Sequence, residues 1–136
     1  MIRPICHDVF FLRQAAADAT PQDLSVGRDL FDTLQANAER CVGMAANMIG
    51  VNKRIIAVET GIGILVMYNP AILRQRFPYE TEEGCLSLTG VRKTTRFREI
   101  EVTYVDAQWK KHRTVYTGDV AQIIQHEVDH TRGILI

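Results

Sequence analysis

The apolar positions of the chain change period twice. From Pro21 to Arg40, in "TPQDLSVGRDLFDTLQANAER", Leu24, Leu30, Phe31, Leu34 and Ala38 recur at helical spacing. Thr20 stands where an N-cap belongs and Pro21 at the first helical position, so this segment predicts a helix. Short β-type runs follow, "RIIAVE", "ILVMYNP", "REIEVTYVD" and "RTVYTG", bounded by Gly, Asn and Pro turns and with no helix between them. The helical period returns in "VAQIIQHEVDHT", with Asp119 as its predicted N-cap and Gly133 as its C′ glycine. Helix, several strands, helix is the order of an α+β fold, with antiparallel strands packed around the C-terminal helix. At 136 residues one hydrophobic core is the expectation, and residues 1–136 are read as a single domain.

The last helix raises a chemical question. At about 100° per residue, Val120, Ile123, Ile124 and Val128 share a broad arc with His126, Glu127 and His130, while Gln122, Gln125, Asp129 and Arg132 fall on the other side. Two imidazoles and a carboxylate among branched aliphatics are costly to bury unless something binds them. Histidines at i and i+4 carry their rings on one face, the geometry with which H-E-x-x-H holds a divalent cation. The plainer alternative is a pair of core histidines satisfied by backbone carbonyls. A third histidine six residues on would continue the pattern of one protease class, but that position is Ile136. His7 and His112 lie in polar, exposed-looking contexts. Cys85, in "ETEEGCLSLTG", is the better third ligand, with Gly84 read as the residue that lets the backbone turn.

Composition excludes more than it assigns. Sixteen basic residues balance sixteen acidic ones, interspersed, so no basic stripe points to nucleic acid and no cationic apolar helix to a membrane surface. The N-terminal "MIRPICHDVFFLRQAAADATP" reads as neither a secretory nor a transit peptide, and no run reaches membrane-spanning length. Three cysteines do not form a disulfide framework, which fits a reducing cytoplasm.

Three motifs taken together are more specific. "CVGMAANMIGV", "EEGCLSL" and "QHEVDH" resemble, in order and spacing, the signature of the peptide deformylases, and "RIIAVE" and "MYNPAI" match in kind, so the resemblance covers nearly the whole chain. It implies a metal-dependent hydrolase that removes the formyl group from the N-terminal formylmethionine of newly made proteins. It also implies the residues. Cys85, His126 and His130 would hold one divalent metal with a water as fourth ligand, and Glu127 would be the general base. The Leu86 N–H would meet the oxyanion, Val42 and Ile123 would wall the substrate methionine, and Gly43 would keep the backbone slim beside the peptide. Fe2+ is the native metal the family implies, with Zn2+, Ni2+ or Co2+ acceptable to the same ligands. Three ligands and a spare carboxylate suit catalysis better than a closed structural site. The implied partners are N-formylmethionyl peptides.

The sequence also departs from the family. Its first motif normally reads G-x-G-x-A-A-x-Q, with the glutamine donating to the oxyanion, but here Cys41 replaces the first glycine and Met48 the glutamine. A thioether cannot donate. Asn47, in a segment read as extended, and Gln122, one turn before His126, are the conceivable substitutes. Thr89 replaces a frequent proline, and the further C-terminal helix of many relatives is expected to be missing. An active deformylase is the first reading. The alternative is a deformylase-like paralogue that binds metal and peptide N-termini with weak or no turnover.

Overall fold

The computed structural model describes residues 1–136. Its centre is one antiparallel sheet in sequential order: β1 (Gly43–Ala45), β2 (Ile55–Glu59), β3 (Ile64–Gly84), β4 (Val91–Val105) and β5 (Lys111–Thr117). A short α1 (Val9–Leu12) precedes α2 (Leu24–Ala36), and α3 (Gly118–Thr131) follows the sheet. The α+β order read from the sequence is the observed one.

The buried clusters explain why β2 does not alternate apolar with polar. Ile55 and Ala57 pack with Leu30 and Leu34 of α2, whereas Ile56 and Val58 pack with Ala121, Ile124 and Val128 of α3. Both faces of the strand are covered, and a strand buried twice reads as a continuous apolar run. Each large aliphatic buried this way contributes roughly 1.5–3 kcal/mol. β2 is therefore the inner spine, and α3 is pressed against it with its functional face toward β1 and the end of β3.

Several elements differ from expectation. α2 ends at Ala36 rather than running on past Ala38, and it is preceded by a 3-10 turn over Pro21–Asp23. The Thr20 N–H donates to the Asp23 side chain at 2.8 Å, so Thr20 begins the helix as read. The third strand is 21 residues long, not the short run "ILVMYNP". Its second half, "RQRFPYETEEG", is largely exposed and polar, so no hydrophobic alternation marked it. β2 pairs only with Ile64–Tyr68, leaving the rest of β3 bonded to β4 alone. Pro78 is tolerated there, because an edge needs no donor.

α3 begins at Gly118, with Thr117 in the extended N-cap position and Asp119 inside the first turn rather than capping it. Gln125, placed on the outer face by angle, is 4% exposed. Its side chain replaces a sheet partner, accepting from the Phe97 N–H at 2.8 Å and donating to the Phe97 carbonyl at 2.8 Å. No helix is long and apolar enough to cross a membrane.

Candidate metal centre and substrate cavity

One ligand comes from the end of β3 and two from α3. Cys85 follows the last strand residue, Gly84, and the turn beyond it takes its left-handed residue at Gly90 (φ 76°). Gly84 is an ordinary strand position paired with Val91, so the turning role read for it belongs to Gly90. The ligand atoms of Cys85, His126 and His130 lie within 4.8 Å of one another. The two histidine Nε2 atoms face each other at 3.1 Å.

That contact is the test of whether a cation fits. Two imidazole nitrogens pointed at one another in a buried place need a proton or a cation between them. Burial disfavours a charged His126, yet the carboxylate of Glu127, the Cys85 thiol and Glu83 outweigh it and raise its pKa. Burial and then the neighbouring His126 lower that of His130. The proton held on His126 is the one a divalent cation would displace. Thiolate and imidazole donors suit zinc and the later transition metals as well as ferrous iron.

Behind His126 stands a buried ionic network. His126 Nδ1 lies 2.8 Å from Glu83 Oε1. Arg96 grips the same carboxylate through Nε (3.1 and 3.0 Å) and Nη2 (2.7 Å), and reaches Asp129 through Nη1 at 2.6 Å. Gln122 adds a bond from Nε2 to Glu83 Oε2 at 2.8 Å. Burial alone would raise the Glu83 carboxyl, but its partners His126, Arg96 and Gln122 hold it at about 2. A metal-ligating histidine is commonly oriented by a carboxylate in this way.

Glu127 sits differently. Its Oε1 is buried without a hydrogen-bond partner, and burial pushes its carboxyl up to about 7. A carboxylate poised near neutrality and free to take a proton is what a general base requires.

Cys85, His126, Glu83 and Glu127 face a cavity of about 650 Å³, which Leu86, Val42, Gly43, Met48 and Ile123 also line. Every site residue read from the sequence is thus brought to one place. The Leu86 N–H donates to nothing within the chain. At Gly43 a Cβ would come within 2.6 Å of Ile123 and 2.9 Å of Glu127 Oε2, so the glycine lets α3 approach. Cys41, where the family has glycine, donates its thiol to the Gly43 carbonyl at 2.7 Å, and burial pushes it up to about 12.

The two substitute donors are engaged elsewhere. Residues Ala46–Ile49 form a 3-10 turn rather than an extended segment, and Asn47 Nδ2 donates to the His130 carbonyl at 2.9 Å. Gln122 is bound to Glu83. Sequence reading missed Glu83 and Arg96. A signal for Glu83 did exist, since in an extended chain residues 83 and 85 share a face and a ligating histidine calls for a carboxylate behind it. Arg96 carried none.

Comparison with known proteins agrees with this geometry. Residues 3–136 match the family described as polypeptide deformylase. A peptide deformylase of Clostridium beijerinckii is 56% identical over 136 residues, covering all of both chains. Among solved structures, the actinonin-bound class I type b peptide deformylase of Acinetobacter baumannii is 31% identical with a TM-score of 0.87, over 99% of this chain and 95% of that one. The same enzyme with Met-Ala-Ser bound is 29% identical with a TM-score of 0.87, over 99% and 97%. The chain belongs to the polypeptide deformylase family.

Proposed function

We propose that this member of the peptide deformylase family hydrolyses the N-formyl group of N-formylmethionyl peptides, with Cys85, His126 and His130 as metal ligands and Glu127 as general base. The observation that carries the reading is the convergence of those three donors beside a partnerless, buried carboxylate on one cavity wall. Ferrous iron is the proposed native ion, with zinc, nickel or cobalt able to take its place. When bound, the ion acts as a Lewis acid toward water and the formyl carbonyl.

The remaining work belongs to the chain. Glu127 takes a proton from the attacking water and delivers it to the departing amine, which its raised pKa allows at neutral pH. The free Leu86 N–H offers one hydrogen bond to the oxygen on which charge develops. Val42 and Ile123 give the methionine side chain apolar contact, and Glu83 keeps the His126 ring oriented. The Met-Ala-Ser bound by the Acinetobacter relative corresponds to the product of such a reaction on a peptide. Nascent chains in the cytoplasm are the proposed source of substrate.

The test is formate release from a formyl-Met peptide by protein loaded anaerobically with ferrous iron, with Cys85→Ser beside it. The wild type should turn over and the variant should lose most of its metal, because an alcohol is a far poorer ligand than a thiolate at neutral pH. Unchanged metal content in Cys85→Ser, measured by elemental analysis, would remove Cys85 from the ligand set.

A further inference from the structure

We propose that Gln122 is a positioning residue that holds His126 in place from inside the substrate cavity; this rests on the reading of His126 as a metal ligand. The residue faces the cavity one helical turn before His126. A polar amide there gives up apolar surface that a methionine side chain could use. Its hydrogen bonds account for the exchange. Nε2 donates to Glu83 Oε2 at 2.8 Å, and Oε1 accepts from the Tyr79 hydroxyl at 3.2 Å. Glu83 Oε1 in turn lies 2.8 Å from His126 Nδ1. Tyr79, Gln122, Glu83 and His126 form one continuous chain of contacts running from β3, across α3, to the proposed ligand.

The geometry explains what Gln122 adds to Arg96. The guanidinium approaches Glu83 from β4 and binds both carboxylate oxygens, but it is itself shared with Asp129. Arg96 thus reaches α3 only through a second ion pair, at Asp129. Gln122 stands on α3 with His126, so its hold on Oε2 ties the carboxylate to the helix that bears the ligand. Because the Glu83 carboxylate only accepts, Nε2 must face it, and Tyr79, four residues before Glu83 on β3 and backed by Arg98 at 4.5 Å from its ring centroid, then holds the other end of the amide by donating to Oε1. The same bonds remove Gln122 as the missing oxyanion donor: its amide is spent on orientation.

The experiment uses cobalt(II) bound in place of iron, because the thiolate-to-cobalt absorption reports an ion held by Cys85 without any assay of turnover. Release into excess chelator is followed for wild type, Gln122→Leu, Gln122→Glu and Tyr79→Phe, alongside melting temperatures of the metal-free proteins. Removing a partner behind a ligand weakens metal binding by about 10–100-fold at most, and Gln122 acts one bond further out, so Gln122→Leu should release cobalt about three- to tenfold faster. Gln122→Glu, which turns an acceptor toward Glu83, should be faster still, and Tyr79→Phe about twofold faster than wild type. On a formyl-Met peptide Gln122→Leu should lower kcat without raising KM. Equal release rates in wild type and Gln122→Leu, or a change confined to the metal-free melting temperature, would overturn the proposal, as would a rise in KM alone, which would make Gln122 a substrate contact. Should Gln122→Leu fail to fold, release from Tyr79→Phe at the wild-type rate would overturn it. Wild-type protein with no thiolate band would instead overturn the ligand assignment itself, and this proposal with it.

Discussion

The structure behind the cavity is built on opposite terms on its two sides, a polar wall and an apolar one. On the side of β3, β4 and α3, Glu83, Arg96 and His126 are buried, and Glu83 is hydrogen-bonded to both of the others. On the side of β1 and the 3-10 turn after it, Met44, Ala45, Ala46 and Met48 are at most 1% exposed and offer almost no polar atom. Its polar contacts are few: Asn47 Nδ2 donates to the His130 carbonyl, and the Ala45 N–H lies 3.5 Å from Met48 Sδ. The first wall is specified by direction, since a hydrogen-bonded charge network tolerates little displacement. The second is specified by volume, since apolar packing accepts replacements of similar size. Substitutions should therefore break function and fold on the polar wall, and rate should be open to gain on the apolar one.

The largest effect is expected at Glu127, where the walls meet. Glu127→Gln keeps the shape but cannot accept the proton, so turnover should fall by about two to four orders of magnitude while metal content stays stoichiometric. Elemental analysis beside a formate assay separates the two quantities. Wild-type turnover in the variant would place the general base elsewhere.

Next comes the network itself. Arg96→Met leaves Glu83 buried with its main counter-charge gone, and breaking a buried pair by removing one partner costs about 3–5 kcal/mol. Urea unfolding of the metal-free protein measures it. The contrast on the other wall is Met44→Leu, a change of shape at near-constant volume, which should cost under about 1.5 kcal/mol. Comparable losses in both variants would erase the distinction between the walls.

The polar wall should also make stability depend on acidity. Glu83 is held at about 2 against an ordinary 4.5, so its native carboxylate is favoured over the unfolded one. Stability from it is complete above pH 4.5 and is lost as pH falls from 4.5 toward 2, by about 3 kcal/mol at roughly 1.4 kcal/mol per pKa unit. The slope should be measured by denaturant melts of metal-free protein, and Glu83→Gln should flatten it. An unchanged slope in Glu83→Gln would assign the acid sensitivity to other groups.

What the sequence disclosed divides along the same line. Periodicity located α2 and α3, because each has a face pressed into a core, and an unbroken apolar run located β2, which is covered on both faces. It did not find the outer half of β3, whose pairing is carried by backbone bonds to β4 and leaves no side-chain signature. The ligands were legible because H-E-x-x-H fixes two of them by local spacing. Arg96 was not, because nothing local relates a residue on β4 to Glu83 on β3; only the hairpin register brings them together. Gln125 was misplaced for a related reason. Angle on a helical wheel distinguishes faces, but a glutamine that serves the Phe97 backbone is buried by what it bonds rather than by its hydropathy.

The smallest predicted change is a gain, and it lies on the apolar wall. By the motif resemblance Met48 stands in place of a glutamine proposed to donate to the oxyanion, and the conceivable substitutes are engaged, with Asn47 bound to the His130 carbonyl and Gln122 to Glu83. Methionine and glutamine are both unbranched and of similar length, so Met48→Gln should enter the core with little repacking. Its Oε1 can accept the Ala45 N–H that now meets the thioether, which leaves Nε2 to donate into the cavity. A preorganised donor of this kind is typically worth about 10²–10³ in rate. Part of that is offset here by burying an amide among Met44, Ala46 and Leu30, so the expectation is a rise in kcat/KM of at least about tenfold, mostly in kcat, because the bond strengthens only as charge appears. Steady-state kinetics on a formyl-Met peptide, at equal metal occupancy, decide it. A Met48→Gln variant that folds, holds its metal and is no faster would mean that transition-state charge is met without a side chain from this wall, and that the thioether is no handicap.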